Sequence, residues 1–182
     1  MEEQPTDKGA GLDVREFYNG YDAPAYVANT VHKLVSTVPS KFLRGIDCVV
    51  LTNQSGMSRR SRLGKVTSRK RRLPQSSMLG RYHPASPGKR PWIELFVDNI
   101  VPGLGRYRWI PLIREACFGL VLFHEIGHHV DATSRPEFRE KEDVADDWGK
   151  KLMGNFFRKK YWLLMPVRKP LGRLFKLLAK TM

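Results

Sequence analysis

The sequence His124-Glu125-Ile126-Gly127-His128 decides how the rest of the chain is interpreted. Residues i and i+4 of a helix project from one face, so His124 and His128 can present two imidazole nitrogens to one zinc ion. Glu125 would flank the metal and could take a proton from its bound water, because zinc lowers the pKa of that water to roughly 7. Gly127 leaves room for another element beside the site. The motif therefore predicts a catalytic zinc centre.

A catalytic zinc ion usually has three protein ligands, so a third is expected near the histidines. The next helix offers Glu142, Asp143, Asp146 and Asp147, and a helical hairpin would bring Glu142 level with His128. Glu142 is the predicted third ligand. Asp146, on the same helical face, is predicted to hydrogen-bond a ligating imidazole. Asp143 is the main rival as ligand, whereas Asp147 is expected to face solvent.

The segments around these residues favour two helices. Pro111 is well placed to start the first, and residues 112–131 continue it without another proline. Ser134 opens a capping-box pattern at the break that follows. A second helix is predicted over 137–152, and Gly154 is expected to end it.

The preceding half of the chain predicts one helix and several strands. Apolar residues at near-helical spacing predict a helix within 13–38. Short runs with β-branched or alternating apolar residues predict strands at 46–51, 80–83 and 92–97. Pro102 and the glycine after it are expected to end the last strand. The result is an α+β fold, with a small twisted sheet packed on the active-site helix and the ligand-bearing second helix beside it.

The composition bounds the class of protein. A chain of 182 residues with 41% hydrophobic residues suits one domain with appendages. The longest apolar stretch, 116–123, is too short for a bilayer span of roughly 20 residues. The polar N-terminus lacks the features of a secretory signal, and Cys48 and Cys117 are too few for a disulfide framework. These features predict a cytoplasmic protein with reduced thiols, which could be peripheral to a membrane.

The net charge of +14 is unevenly distributed. Residues 51–91 hold 11 Lys/Arg and no Asp/Glu, and residues 148–182 hold 10 and none, whereas residues 92–147 hold 6 and 11. An acidic module thus lies between two basic segments. The predicted organisation is a flexible arm at 1–12, a catalytic domain at 13–153 with a basic loop at 53–80, and a basic tail at 154–182.

The two basic segments allow different partners. Residues 58–72 hold eight Lys/Arg and no acid. They would suit phosphate contacts with a polyanion such as nucleic acid, although a solvated loop that aids solubility explains them equally well. Residues 156–180 interleave basic with aromatic and apolar residues. This pattern fits a basic amphipathic helix on an anionic membrane surface, and also a helix packed on the catalytic domain.

Taken together, HEIGHH and the later EDVADDW resemble the gluzincin metallopeptidases, and in particular the minimal gluzincins and the ImmA/IrrE-like peptidase domains. The resemblance covers roughly residues 80–153. Those domains carry an E-x-x-A-[ND] sequence, which Glu142, Ala145 and Asp146 match. Two departures are the later position of Leu163-Leu164-Met165-Pro166 and the inserted basic loop.

The resemblance implies a zincin-like fold and a zinc-dependent peptidase, more typically an endopeptidase than an exopeptidase. It implies that the substrate backbone pairs with the Trp92–Val97 strand as the edge strand of the cleft. Glu125 would deliver the proton to the leaving amine. Three residues are open candidates for stabilising the oxyanion: His129, Tyr82 and Tyr107. The alternative hypothesis is a polyanion-binding protein whose zinc site is structural or idle.

Overall fold

The computed structural model describes residues 12–56, 65–68, 71–74, 77–134 and 142–162. The described strands are β1 (Asp13–Glu16), β2 (Cys48–Thr52), β3 (Lys65–Ser68), β4 (Arg71–Pro74), β5 (Gly80–His83) and β6 (Trp92–Phe96). The described helices are α1 (Tyr26–Thr37), α2 (Val97–Gly103), α3 (Pro111–Ser134) and α4 (Glu142–Lys160). The predicted α+β class is confirmed.

A four-stranded mixed sheet lies at the centre of the fold, in the order β1-β2-β6-β5. Strands β1, β2 and β6 are parallel, and β5 runs antiparallel to β6 at one edge. Opposite Leu95 on β6 lie Leu51 of β2 and Gly80 of β5. Strands β3 and β4 pair with each other in a separate antiparallel hairpin.

The prediction that Trp92–Val97 forms the edge strand is wrong. Strand β6 is bonded on one side to β2 and on the other to β5, so its backbone groups are already used in the sheet. Among the described strands, β5 is the edge on this side of the sheet. Any peptide that joins this side of the sheet must therefore pair with β5.

The hydrophobic core lies between the sheet and the helices. From the sheet it takes alternate residues of β2 and β6, including Leu51 and Leu95. From α3 it takes Phe118, Leu122 and Ile126, which are spaced four residues apart and share one face. Burial of each such side chain contributes about 1.5–3 kcal/mol. This packing fixes α3, and with it the HExxH motif, against the sheet.

Three predicted boundaries differ from the structure. The N-terminal helix spans only Tyr26–Thr37, and Asp13–Glu16 is instead a strand because it pairs with β2. The last strand does not continue to Pro102, since α2 begins directly after Phe96. Helix α4 passes through Gly154 to Lys160, and the burial of Phe156 in the core holds that last part in place.

Other predictions agree with the structure or fall outside it. Helix α3 begins at Pro111 as expected. The predicted basic loop contains the β3–β4 hairpin, so the loop prediction is wrong for those eight residues. The predicted arm (apart from Leu12), the capping box after Ser134 and the tail beyond Trp162 lie outside the described residues. None of the helices in the described parts combines the length and apolarity needed to span a bilayer.

Candidate metal centre

Two histidines of α3 and one glutamate of α4 converge at the face where the helices meet. Nε2 of His124 lies 3.2 Å from Nε2 of His128 and 3.5 Å from Oε2 of Glu142. One ligand atom from each of the three residues lies within 4.8 Å of the other two. These residues therefore form a group that could hold a metal ion.

The donor set and its spacing can be tested against a zinc ion. Ligand atoms placed 2.0–2.1 Å from zinc at the tetrahedral angle are about 3.3–3.4 Å apart. The two distances measured from His124 bracket that value. Two imidazoles and a carboxylate are also the donors of the His₂Glu catalytic sites. The donor types suit zinc, while the three ligand atoms lie within 4.8 Å of one another, a wider limit than the tetrahedral spacing.

Asp146 lies behind His124, on the side away from the other ligand atoms. Its Oδ1 is 2.9 Å from Nδ1 of His124. A carboxylate at that distance accepts a hydrogen bond from the Nδ1–H group. The proton therefore stays on Nδ1, and the lone pair of Nε2 can bind a metal. The contact matches the position predicted for Asp146 from the helical spacing of Glu142 and Asp146.

The charge state of His124 suits ligation. Burial, followed by the nearby His128, lowers the pKa of His124 below the ordinary imidazole value, and Asp146 and Glu142 oppose this shift. A lowered pKa keeps the ring neutral near pH 7, which is the form that binds a metal.

Close packing of α3 on α4 positions the two halves of the site. A Cβ atom on Gly127 would lie 2.5 Å from the carbonyl oxygen of Ala145, so the two backbones touch there. Ala145 lies between Glu142 and Asp146 in sequence and is fully buried. The expected role of Gly127 is confirmed: its missing side chain lets the carboxylates of α4 reach the histidines.

Glu125 is buried against the edge strand. A Cβ atom on Gly80 would lie 3.1 Å from both Cγ and Oε1 of Glu125, and 2.6 Å from Cγ1 of Val121. The backbone of β5 therefore passes directly beside the Glu125 carboxylate. The sequence predicts Gly80 only as the start of a strand, although a glycine inside a strand is itself a signal of close approach by another group.

Asp143, the rival candidate for third ligand, and Asp147 both lie outside the group that could hold a metal. Asp143 is exposed. Asp147 is exposed and pairs with Lys150 at 2.9 Å, in agreement with its predicted solvated position.

The three candidates for oxyanion stabilisation have contacts of their own. The Tyr82 hydroxyl lies 3.2 Å from Nδ1 of His129, whose Nε2 lies 3.0 Å from the Arg44 carbonyl oxygen. A carbonyl accepts only, so Nε2 carries the proton and Nδ1 accepts from Tyr82. The Tyr107 hydroxyl accepts a hydrogen bond from Arg106 at 2.9 Å. These contacts assign none of the three residues to catalysis.

Comparison of the sequence with protein-family models and with curated proteins, and of the fold with solved structures, found no match. Support for the chemistry of the site therefore comes from its own residues and their geometry.

Proposed function

We propose that this protein is a zinc-dependent metallopeptidase. The observation that carries the proposal is the arrangement of two histidines and Glu142 as one group that could hold a metal ion, together with the buried Glu125 beside strand β5. A purely structural zinc site would need a fourth protein ligand, and it would give a buried glutamate beside the sheet edge no chemical role.

Each residue of the site has a distinct proposed task. His124, His128 and Glu142 would hold the ion, and Asp146 would fix the orientation of the His124 ring. A bound zinc ion supplies Lewis-acid polarisation of the scissile carbonyl and a water of lowered pKa. Glu125 would accept a proton from that water and deliver it to the leaving amine nitrogen.

The edge strand offers a way to hold the substrate. Among the described strands β5 lies at the edge of the sheet, next to β6, and the proposed mode of binding is an extended peptide that lies alongside β5. Because Gly80 begins β5 beside Glu125, a peptide paired there would pass close to the proposed general base. Recognition through the backbone suits an endopeptidase acting within extended segments.

The test compares wild type with Glu125→Gln and, as a matched control, Asp147→Asn. Zinc content and cleavage of fluorescently labelled, unfolded casein are measured on the same preparations. Glu125→Gln should retain zinc and lose about 10²–10⁴-fold in cleavage rate, because it keeps the shape of the side chain but cannot carry the proton. Asp147→Asn should match wild type.

Two outcomes would count against the proposal. One is a Glu125→Gln protein that binds zinc and cleaves as fast as wild type. The other is a fully zinc-loaded wild type that cleaves neither casein nor a peptide library derived from a whole proteome.

The alternative function is binding to a polyanion, with the zinc site structural or idle. It draws on the basic segment 51–91, which has 11 Lys/Arg and no acid. It predicts a steep salt dependence of DNA binding that chelation does not change. The polyanion-binding alternative assigns no role to Glu125. Salt-dependent DNA binding that chelation does not change, together with no peptidase activity, would favour this alternative.

A further inference from the structure

Exposed tryptophans mark one end of the α3–α4 helix pair. Four large apolar side chains are exposed among the described residues: Phe17, Trp109, Leu120 and Trp162. Trp109, 73% exposed, lies in the turn that leads into α3, and Trp162, 65% exposed, is the second residue after the end of α4. Large exposed apolar side chains that lie together mark surfaces that contact a partner or a membrane, whereas single ones are common.

A buried carboxylate holds the two segments together. Glu115, on the first turns of α3, is only 3% exposed. Its Oε2 accepts a hydrogen bond of 2.6 Å from the hydroxyl of Tyr161, and its Oε1 pairs with Lys160. Trp162 is thereby fixed at the same end of α3 as the turn that carries Trp109.

The same end is strongly basic. Residues 105–115 and 155–162 together hold six Lys/Arg and one acid, Glu115, which pairs with Lys160. Among the exposed ones are Arg106 and Arg108, which flank Tyr107 just before Trp109, and Lys159, close to Trp162. We call five of these exposed residues the basic aromatic end: Arg106, Arg108, Trp109, Lys159 and Trp162.

We propose that the basic aromatic end docks on an anionic lipid surface. Indole rings prefer the boundary between lipid headgroups and acyl chains, and Lys and Arg beside them are attracted to anionic headgroups. The chain continues from Trp162 into residues 163–182, which add five Lys/Arg, no acid, and apolar residues at helical spacing. Nucleic acid is the less favoured partner. Its phosphates would contact the Lys and Arg side chains but would leave the tryptophans and the apolar side chains uncovered.

This inference does not depend on the proposed peptidase activity. His124 follows Glu115 by nine residues on α3, which places it about 14 Å farther along the helix axis. A lipid surface at the basic aromatic end would therefore leave the metal centre facing solvent.

The experiment measures co-sedimentation of the full chain with vesicles. Vesicles of phosphatidylcholine mixed with phosphatidylglycerol are compared with phosphatidylcholine alone. Wild type should bind the anionic vesicles only. Trp109→Ala with Trp162→Ala, and separately Arg106→Gln with Arg108→Gln, should each lower the partition coefficient by roughly tenfold or more.

The matched control removes two exposed charges from the segment that packs near the far end of α3. Lys41→Gln with Arg44→Gln alters residues near His129, about 27 Å along α3 from Pro111. The structural contact there uses the backbone carbonyl of Arg44, so the substitution keeps it. This control should bind anionic vesicles as wild type does.

Three outcomes would overturn the inference. The first is unchanged vesicle binding when both tryptophans are removed. The second is an equal loss in the control pair and in the Arg106/Arg108 pair, which would show that only net charge matters. The third is a tryptophan variant that still binds vesicles but no longer binds a single-stranded oligonucleotide. That result would assign the surface to nucleic acid.

Discussion

Gly127 and Ala145 bring the backbones of α3 and α4 into direct contact. The carbonyl oxygen of Ala145 occupies the space where any side chain at position 127 would begin. Because Glu142 and Asp146 lie on either side of Ala145 in the sequence, this one contact sets how far both carboxylates are from the histidines. The shape of the candidate metal centre thus depends on a residue that has no functional group.

Gly127→Ala should therefore destabilise the fold and weaken the metal site together. The added methyl group forces the helices apart, at a cost of about 1–3 kcal/mol in unfolding free energy. Zinc affinity should fall because Glu142 moves away from His124. Chemical denaturation and a zinc titration with a chromophoric chelator measure the two effects.

Gly154→Ala serves as the control for that substitution. Gly154 lies within α4, and a Cβ atom there would meet no other atom within 4 Å. It should raise stability by roughly 0.5–1 kcal/mol through helix propensity and leave zinc affinity unchanged. A Gly127→Ala protein as stable and as zinc-avid as wild type would contradict the packing argument.

Asp146→Asn tests the hydrogen bond to Nδ1 of His124. The amide is a weaker acceptor than the carboxylate, so the ring loses its orientation and part of its basicity. Zinc affinity should fall by about 10–100-fold while the unfolding free energy of the metal-free protein stays close to wild type. Asp147→Asn, one residue away and exposed, should change neither quantity. Equal effects of the two substitutions would remove the assigned role.

The three residues that could hold a metal were predictable because their spacing along the helices is local. The i, i+4 spacing of the histidines and the helical spacing of Glu142 and Asp146 depend only on helix geometry. Pro111 also marks the start of α3 without reference to the rest of the fold. The close approach at Gly127 was predictable for the same reason.

The features that were missed depend on distant parts of the chain. Strand β1 contains a single aliphatic residue, Val14, and forms because its backbone pairs with β2. The central position of β6 follows from the order of strands, which no local pattern encodes. Helix α4 continues past Gly154 because Phe156 is buried in the core, and this packing outweighs the low helix propensity of glycine.

Gly80→Ala tests the contact between the edge strand and Glu125. A methyl group at this position would press on the side chains of Val121 and Glu125. Displacement of the proposed general base by about 1 Å can cost on the order of 10²-fold in turnover, whereas the three candidate metal ligands are not among the atoms nearest to the added methyl group. The prediction is reduced casein cleavage with wild-type zinc affinity. Parallel losses of cleavage and zinc would instead indicate a general disturbance of the fold.

The buried thiol of Cys117 predicts a dependence of stability on alkaline pH. Cys117 is 1% exposed, and burial raises its pKa from 9.0 to about 11. A raised pKa in the folded state gives stability that is fully present below pH 9 and lost as the pH rises through 11. The loss should reach about 2–3 kcal/mol in unfolding free energy.

Other groups also titrate in that range, so the measurement is the difference between wild type and Cys117→Ala. Urea unfolding at several pH values should show a steeper alkaline decline in wild type than in the variant. Parallel curves would mean that the thiol ionises in the folded protein as easily as in the unfolded chain.

The most direct test of the metal centre is the zinc content of the purified chain, read as zinc per protein after removal of loosely bound metal. Wild type and Asp143→Asn should hold equimolar zinc, and Glu142→Gln should lose more affinity than the about 10–100-fold expected for Asp146→Asn. A wild type that cannot be loaded with equimolar zinc, or a Glu142→Gln protein that binds it as tightly as wild type, would contradict the account.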